Sequence, residues 1–176
     1  MEIRAEEIDS HEANRALLDR RLDVAVVRQA APIGGIRSMP LLSDQFVAAL
    51  PRSHPLAAEE SPLDLAALAD EPWVWLPRQI TPDYHDAMAA ACRRAGFSPA
   101  ATHWARSITS QLALVSCGLG VTIVPSTAMA AAPPNVTARH LLDMAETVGL
   151  AVAARNDAGP VAADFTECAR TVLTRI

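Results

Sequence analysis

The sequence predicts a protein of the α/β class, in which strands and helices alternate along the chain. Short apolar runs at 22–28, 121–124 and 148–154 are typical of buried strands, and the first of them is rich in β-branched residues. Helix-capping residues and glycines bracket amphipathic segments between these runs. The length of 176 residues and the hydrophobic content of 51% suit one domain, or two small lobes, with a substantial core.

The first segments predict a strand, a helix and a second strand. Residues 1–8 alternate weakly between apolar and polar, which favours a strand. Ser10 is the predicted N-cap of a helix that buries Ala13 and Leu17. The apolar run 22–28 is typical of a strand that is buried on both faces. Together these segments predict a βαβ unit with parallel strands.

The middle of the chain contains the clearest helix. Before it, the pattern predicts two strands (36–42 and 45–50), a proline-rich loop (51–62), a short helix (63–68) and a third strand (73–76). Thr81 is the predicted N-cap of the clear helix, Pro82 its first residue and Gly96 its C′ residue. The apolar face of this helix is predicted to hold Tyr84, Met88, Ala91, Cys92 and Ala95.

The second half repeats the alternation. A strand at 100–106 precedes a helix that Ser107 or Thr109 caps, that runs to Cys117 and that Gly118 ends. A buried strand, a further strand and a last helix follow at 121–124, 148–154 and 161–174. The glycines Gly118 and Gly120 do not match a dinucleotide loop, because a helix precedes them and a strand follows. Gly120 is instead expected to allow a close backbone approach.

Composition and charge exclude several classes of protein. The net charge of −5 makes the chain a poor nucleic-acid binder by itself. We expect no membrane partner, since no apolar run reaches the ~18 residues of a spanning helix, and charged residues replace the core of a signal peptide. The three cysteines are odd in number and lack CxxC spacing, which is typical of reduced thiols in a cytoplasmic protein.

Catalytic, metal and cofactor motifs are not found in the sequence. The five histidines show no i+3 or i+4 pairing, and neither GxSxG nor a phosphate-binding loop occurs. We therefore expect no catalytic residue, no metal and no cofactor. A Cys–His nucleophile pair stays open, because such residues meet only in space. Packed thiols are the better interpretation, since Cys92 and Cys117 fall near helix C-termini, which disfavour a thiolate.

Three predicted helix starts carry hydroxyl groups: Ser10, Thr81 and the segment 107–110. Free backbone N–H groups and hydroxyls at a helix N-terminus bind carboxylates and phosphates. All three starts are predicted to follow strands, so we expect them at strand carboxyl ends, where α/β proteins bind ligands. Taken singly, each is better interpreted as an ordinary N-cap. Their combination favours an anion-binding site.

Four segments resemble, in matching order, the effector-binding domain of LysR-type transcriptional regulators. They are ALLDRRLDVAVVR (16–28), ALPRSHPLA (49–57), ACRRAGFSPA (91–100) and LALVSCGLGVTIVPS (112–126). The resemblance implies an α/β fold with two Rossmann-like lobes and a cleft, similar to type 2 periplasmic binding proteins. It places lobe I at 1–43 plus 148–176 and lobe II at 44–147. It also implies an N-terminally truncated domain that lacks its first strand and helix, together with the winged helix-turn-helix.

The resemblance also implies which residues bind the effector. By position these are Ser10, Arg28, Ile80, Thr81, Arg106, Ser107, Ile108 and Thr109. Arg28 could offer its guanidinium to an anionic effector. The alternative for Arg28 is a charged strand end in solvent. The loop around Pro55 and Leu56 is expected to be structural.

The implied function is sensing, without catalysis. The chain would bind a small, often anionic metabolite and signal to a DNA-binding domain outside this sequence by population shift. The resemblance further implies a bacterial, cytoplasmic regulator that is a homodimer at full length and contacts DNA only through that other domain. Two alternatives remain open. One is a solute-binding protein for transport, and the other is a hydrolase that uses Cys or His.

Overall fold

The computed structural model describes residues 3–28, 34–142, 144 and 147–173. The chain divides into two compact units: unit 1 is Met1–Ser43 with Gly149–Ile176, and unit 2 is Asp44–Val148. The helices are α1 (Ser10–Leu18), α2 (Pro82–Arg94), α3 (Ile108–Ser116) and α4 (Gly159–Leu173). The strands are β1 (Val24–Arg28), β2 (Ile36–Pro51), β3 (Trp73–Trp75), β4 (Ala101–Trp104), β5 (Thr122–Pro125), β6 (Val136–His140) and β7 (Thr147–Arg155).

Unit 1 is a small layer of helix on sheet. Strand β1 pairs antiparallel with β7, with Val26 opposite Val152. Its buried apolar cluster consists of Ala13, Leu17, Ala25, Val27 and Ala153. The prediction that α1 buries Ala13 and Leu17 is confirmed. Helix α4 is joined to β2 by the Arg170 guanidinium, which donates to the Pro40 carbonyl at 2.9 Å.

Four predictions for the start of the chain are wrong. Residues 3–9 form no strand, so the predicted parallel βαβ unit does not exist. Strand β1 is buried on one face only, because Val26 is 49% exposed. An antiparallel pair tolerates one solvated face, whereas a parallel pair needs both faces covered. Asp9, and not Ser10, is the N-cap of α1, and the Ser10 hydroxyl accepts the Arg28 backbone N–H at 3.3 Å instead.

Unit 2 combines parallel and antiparallel pairing. Strand β3 pairs parallel with β4, and a parallel bridge from Trp73 to Val121 joins it to the segment that leads into β5. The second half of β2 pairs antiparallel with β5 along one edge and with β6 along the other. The carboxyl ends of β3, β4 and β5 therefore point the same way.

The core of unit 2 is larger and contains most of the buried aromatic residues. Tyr84 and Met88 of α2 are buried as predicted, as are Ala91 and Cys92, whereas Ala95 is only partly buried. The Tyr84 hydroxyl donates to the Ile123 carbonyl at 2.5 Å, which fixes α2 to β5. The indole N–H of Trp73 donates to the Leu68 carbonyl at 3.1 Å.

Several boundaries in the middle and second half of the chain differ from the predictions. The strands predicted at 36–42 and 45–50 are the single strand β2, since nothing between them breaks extended backbone. The short helix is the 3-10 turn Leu65–Leu68, and two further 3-10 turns, Pro55–Ala58 and Ser126–Ala131, were not predicted. Strand β6 was missed, because its burial does not alternate and one of its two buried residues is the charged Arg139. The predicted end of the last helix, residue 174, lies outside the described residues.

Candidate functional site

The starts of α2 and α3 lie at one edge of the sheet in unit 2. Strands β3 and β4 are parallel neighbours, with Trp75 opposite Trp104. The backbone N–H of Ala105 donates to the Trp75 carbonyl at 2.8 Å, so the two strands stay paired where they end. Helix α2 follows β3 and helix α3 follows β4. We call the region formed by residues 76–81 and 105–110 the carboxyl edge of unit 2.

The start of α3 is a capping box. The Ser107 hydroxyl accepts the Ser110 N–H at 3.1 Å, and the Ser110 hydroxyl accepts the Ser107 N–H at 2.9 Å. Ser107 is therefore the N-cap, and the alternative cap, Thr109, is an exposed residue of the first turn. No acidic side chain lies in that turn, so the positive end of the helix dipole is not neutralised by its own residues. Such a helix start attracts anions.

The start of α2 differs in charge and in hydrogen bonding. Thr81 is the N-cap as predicted, but its side chain makes no capping hydrogen bond. Its hydroxyl oxygen is buried and has no hydrogen-bond partner among the described residues. Pro82 has no N–H to offer, and Asp83 places a carboxylate in the first turn. This helix start is consequently less attractive to an anion than that of α3.

An ion pair that sequence reasoning missed fixes the loop before α2. Arg78 donates to both carboxylate oxygens of Asp86, at 2.8 and 2.6 Å. His85 contacts the same carboxylate at 3.2 Å, and its ring lies 5.3 Å from the ring of Trp75, centre to centre. Two hydrogen bonds hold the pKa of Asp86 below its ordinary value. The larger effect comes from Arg78 and the next from His85. The pair is exposed, so it orients the loop more than it stabilises the fold.

A buried carboxylate, which sequence reasoning also missed, holds the segment that follows the carboxyl end of β5. Asp44 is 4% exposed and accepts hydrogen bonds from the Ser126 hydroxyl at 2.6 Å and from the Thr127 N–H at 3.1 Å. Asp44 precedes the stretch of β2 in which Phe46 lies opposite Pro125. No periodicity could have predicted this contact, since the partners are 82 and 83 residues apart in sequence.

The remaining predicted site residues are distributed over both units. Ser10 and Arg28 meet within unit 1 through the hydrogen bond described above, and both are partly buried. In unit 2, Ile80 and Ile108 are partly buried and Arg106 is exposed at the carboxyl edge. The structure thus joins Ser10 to Arg28 by a hydrogen bond, and places the other six predicted residues, all in unit 2, in the segments that follow β3 and β4. Ser10 follows no described strand, so its expected place at a strand end is wrong.

The loop predicted to be structural is held by a buried arginine. The guanidinium of Arg139, 4% exposed, donates to the carbonyls of Leu56 and Ser61. His54 accepts the Leu56 N–H on Nδ1 at 3.2 Å, and its Nε2 lies 3.1 Å from a carboxylate oxygen of Glu71. These contacts occupy both ring nitrogens of His54 in positioning the loop.

Among the described residues, metal-binding clusters, cysteine thiols and membrane-spanning helices add little to the site. Among residues 3–28, 34–142, 144 and 147–173, no cluster of three or more His, Cys, Asp or Glu side chains could hold a metal ion. Cys92 is buried, whereas Cys117 and Cys168 are exposed. In the same part of the chain, no helix combines the length and the apolar character that a bilayer span requires.

Comparison with known proteins identifies the family. The family sequence model described as the LysR substrate binding domain matches residues 1–174 of this chain. The transcriptional regulator CatR of Pseudomonas putida is 33% identical over 143 residues, which cover 81% of this chain and 49% of that protein. The BenM effector binding domain with its effector benzoate superposes with a TM-score of 0.79 at 22% identity, over 97% of this chain and 78% of that one.

A third comparison is full-length CbnR complexed with its target DNA. It superposes with a TM-score of 0.78 at 22% identity, over 93% of this chain and 57% of CbnR. The chain spans about half the length of the curated relatives it matches, 49% of CatR and 52% of the next regulator.

The fold belongs to the class of α/β domains built like periplasmic binding proteins. Within that class, the chain is a member of the LysR substrate binding domain family. Its curated relatives are bacterial transcriptional regulators and not enzymes. The relatives thus support a regulatory role and do not support solute transport.

Proposed function

We propose that this chain is the effector-sensing part of a longer transcriptional regulator and that it binds a small carboxylate. The observation that supports this most directly is the start of α3. There, a helix with no acidic residue in its first turn follows a parallel strand and presents an exposed hydroxyl, that of Thr109. A carboxylate would accept hydrogen bonds from backbone N–H groups and hydroxyls there, and the helix dipole would favour its charge.

The other predicted residues have distinct proposed roles. In unit 2, the exposed guanidinium of Arg106 would add positive charge, and the partly buried Ile80 and Ile108 would contact the apolar part of the effector. For unit 1, we propose Ser10 and Arg28, joined by their hydrogen bond, as polar ligand contacts of that unit by itself. Benzoate is the effector of BenM, so an aromatic carboxylate is the first probe to test on this chain.

Regulation would follow from differential binding. An effector shifts an equilibrium between two states of the regulator only if it binds one of them more tightly. We propose that this shift is passed to a DNA-binding part of a homo-oligomeric, cytoplasmic protein. The net charge of −5 favours a DNA contact outside these 176 residues. Full-length CbnR, which contains a similar fold, forms a complex with its target DNA.

The test is a thermal-shift screen of the chain against benzoate, other aromatic acids, dicarboxylates and amino acids. A ligand at 100 times its dissociation constant stabilises a protein by about 2.7 kcal/mol. We expect at least one carboxylate to stabilise the chain and Thr109→Ala to weaken its binding about tenfold. Thr102→Ala is the matched control, because it removes an exposed hydroxyl of β4 away from the carboxyl edge. No stabilisation by any carboxylate, or equal losses in both variants, would contradict the proposal.

A further inference from the structure

Two buried polar groups beside the start of α2 have no hydrogen-bond partner among the described residues. They are the indole Nε1 of Trp75 and the hydroxyl of Thr81. Trp75 is only 3% exposed, and an indole N–H is a donor with no acceptor function. Native structures pair nearly all buried donors with protein, water or a ligand, because an unpaired one costs free energy. Each of these two groups therefore needs a hydrogen-bond partner from a water molecule or a ligand.

The two groups lie at the same helix end. The ring of Trp75 is 5.3 Å from that of His85, centre to centre, and the His85 backbone N–H donates to the Thr81 carbonyl at 3.0 Å. Trp75 therefore packs against the first turn of α2, of which Thr81 is the N-cap. By contrast, the indole N–H of Trp73 is already satisfied by the Leu68 carbonyl. The missing partner is thus specific to the tryptophan at the end of β3.

The charges at this helix end favour a neutral acceptor. Asp83 lies in the first turn of α2, and Arg78 is already paired with Asp86. A second carboxylate here would be repelled by Asp83, whereas a hydroxyl or carbonyl oxygen would not. The α3 start has no acidic residue in its first turn, so it is the better place for a carboxylate. Trp75 lies opposite Trp104, and neighbouring strands are about 4.8 Å apart, so one small molecule can reach both Trp75 and the α3 start that follows β4.

We propose that Trp75 and Thr81 form a subsite for a hydroxyl or carbonyl oxygen of the effector, which makes the effector a hydroxy- or oxo-carboxylate. The inference rests on the proposed function, because it places the carboxylate of the same molecule at the start of α3. Trp75 donates its indole N–H to the oxygen, and the Thr81 hydroxyl donates to it or accepts from it. The subsite selects substituted carboxylates over their unsubstituted parents.

The test compares matched ligand pairs by isothermal titration of the full chain. The pairs are benzoate with each of its three monohydroxy derivatives, and succinate with malate. We expect at least one hydroxylated member to bind about tenfold more tightly than its parent, the gain of one satisfied buried hydrogen bond. Trp75→Phe, which keeps an aromatic ring next to His85, is expected to abolish this gain. Trp104→Phe, at an exposed tryptophan, is the control.

Each outcome separates this inference from the proposed function. If the parent acids bind but hydroxylation gives no gain, or if Trp75→Phe retains the gain, the subsite is wrong and the effector function stands. If neither parents nor derivatives bind, both fail. Should Trp75→Phe not fold, Thr81→Val replaces it with the same expected loss of the gain. In the spectrum of the labelled protein, the indole ¹H–¹⁵N signal of Trp75 must move with the tighter ligand, while that of Trp104 stays in place.

Discussion

At the scale of single residues, Gly120 occupies a position where the backbone conformation and the surrounding atoms favour glycine. Its φ is +145°, and a Cβ at this position would lie 2.2 Å from the Pro72 carbonyl oxygen. That same oxygen accepts the Val121 N–H at 2.8 Å, so it cannot move away without breaking the link between β3 and β5.

Gly120→Ala is expected to lower the free energy of unfolding by about 3 kcal/mol or more, because a strained backbone alone costs ~1–3 kcal/mol and the clash adds to it. Gly118→Ala is the control. Gly118 also has a positive φ, +74°, but its Cβ would meet no atom within 4 Å. That variant should lose only about 1–2 kcal/mol. Equal losses in urea denaturation would contradict the account of Gly120.

Asp86 gives a prediction about pH. Because Arg78 and then His85 lower its pKa from the ordinary 3.8, ionised Asp86 stabilises the fold above that value, and the contribution is lost as pH falls through the lower folded value. Asp86→Asn should therefore lower the melting temperature slightly at neutral pH, by a constant amount down to about pH 4. The difference from the unsubstituted chain should shrink at lower pH. Asp164→Asn, at an exposed position of α4, is the control for the loss of one carboxylate.

Single residues also show which parts of the site a sequence reveals. The sequence predicts a close approach of two backbone segments at Gly120, because this glycine lies between a helix end and a buried strand. The pairing of Arg78 with Asp86 and the unsatisfied indole of Trp75 were not predicted. Both depend on how a loop folds back on a helix, and no local pattern encodes that.

At the scale of elements, the two helix starts of unit 2 make a matched pair. The Ser107 hydroxyl caps α3 through the Ser110 N–H, whereas the Thr81 hydroxyl makes no capping bond in α2. Ser107→Ala should therefore cost about 1 kcal/mol of stability in the absence of ligand. Thr81→Ala should cost clearly less. A larger loss for Thr81→Ala in urea denaturation would contradict the difference in capping.

Elements with strong local signals were predicted well. Helix α2 has an N-cap, a first-position proline, basic residues in its last turn and a glycine after it, and its observed start agrees with the prediction. Strand pairing was predicted poorly at the start of the chain. Strand β1 contains the same apolar residues in either arrangement, and its partner β7 lies more than 100 residues away in sequence. Pairing over such a distance is decided by packing and not by local pattern.

At the scale of the whole molecule, the two units differ in the size of their cores. Among the described residues, the buried cluster of unit 1 consists of five residues, three of them alanine, whereas that of unit 2 contains Trp73, Tyr84 and many larger side chains. Buried apolar area sets much of the stability of a compact unit. We therefore expect unit 1 to unfold at a lower denaturant concentration than unit 2.

The distribution of tryptophans allows this to be measured. All three lie in unit 2, at Trp73, Trp75 and Trp104, so tryptophan fluorescence follows that unit alone. Far-ultraviolet circular dichroism follows both units. The dichroism signal should begin to fall at lower urea concentration than the fluorescence changes. Coincident transitions would instead show that the two units unfold as one cooperative body.

The fold class and the family were predicted from the sequence, because alternating elements and four family-like segments are local features. The identity of the effector was not predicted from the sequence, since its recognition depends on a few side chains brought together by the fold. Our proposal of a carboxylate rests on the start of α3, where the first-turn residues are all uncharged.

The most direct test of the central claim, carboxylate binding at the carboxyl edge of unit 2, is an amide ¹H–¹⁵N titration of the whole chain with the carboxylate panel. We predict that at least one ligand shifts the signals of Ser107, Ile108, Thr109 and Ser110 in a saturable way. The signals of Thr102 and of α4 should stay in place. Saturable binding that leaves residues 107–110 unmoved, or no binding by any carboxylate, would contradict the assignment of this site.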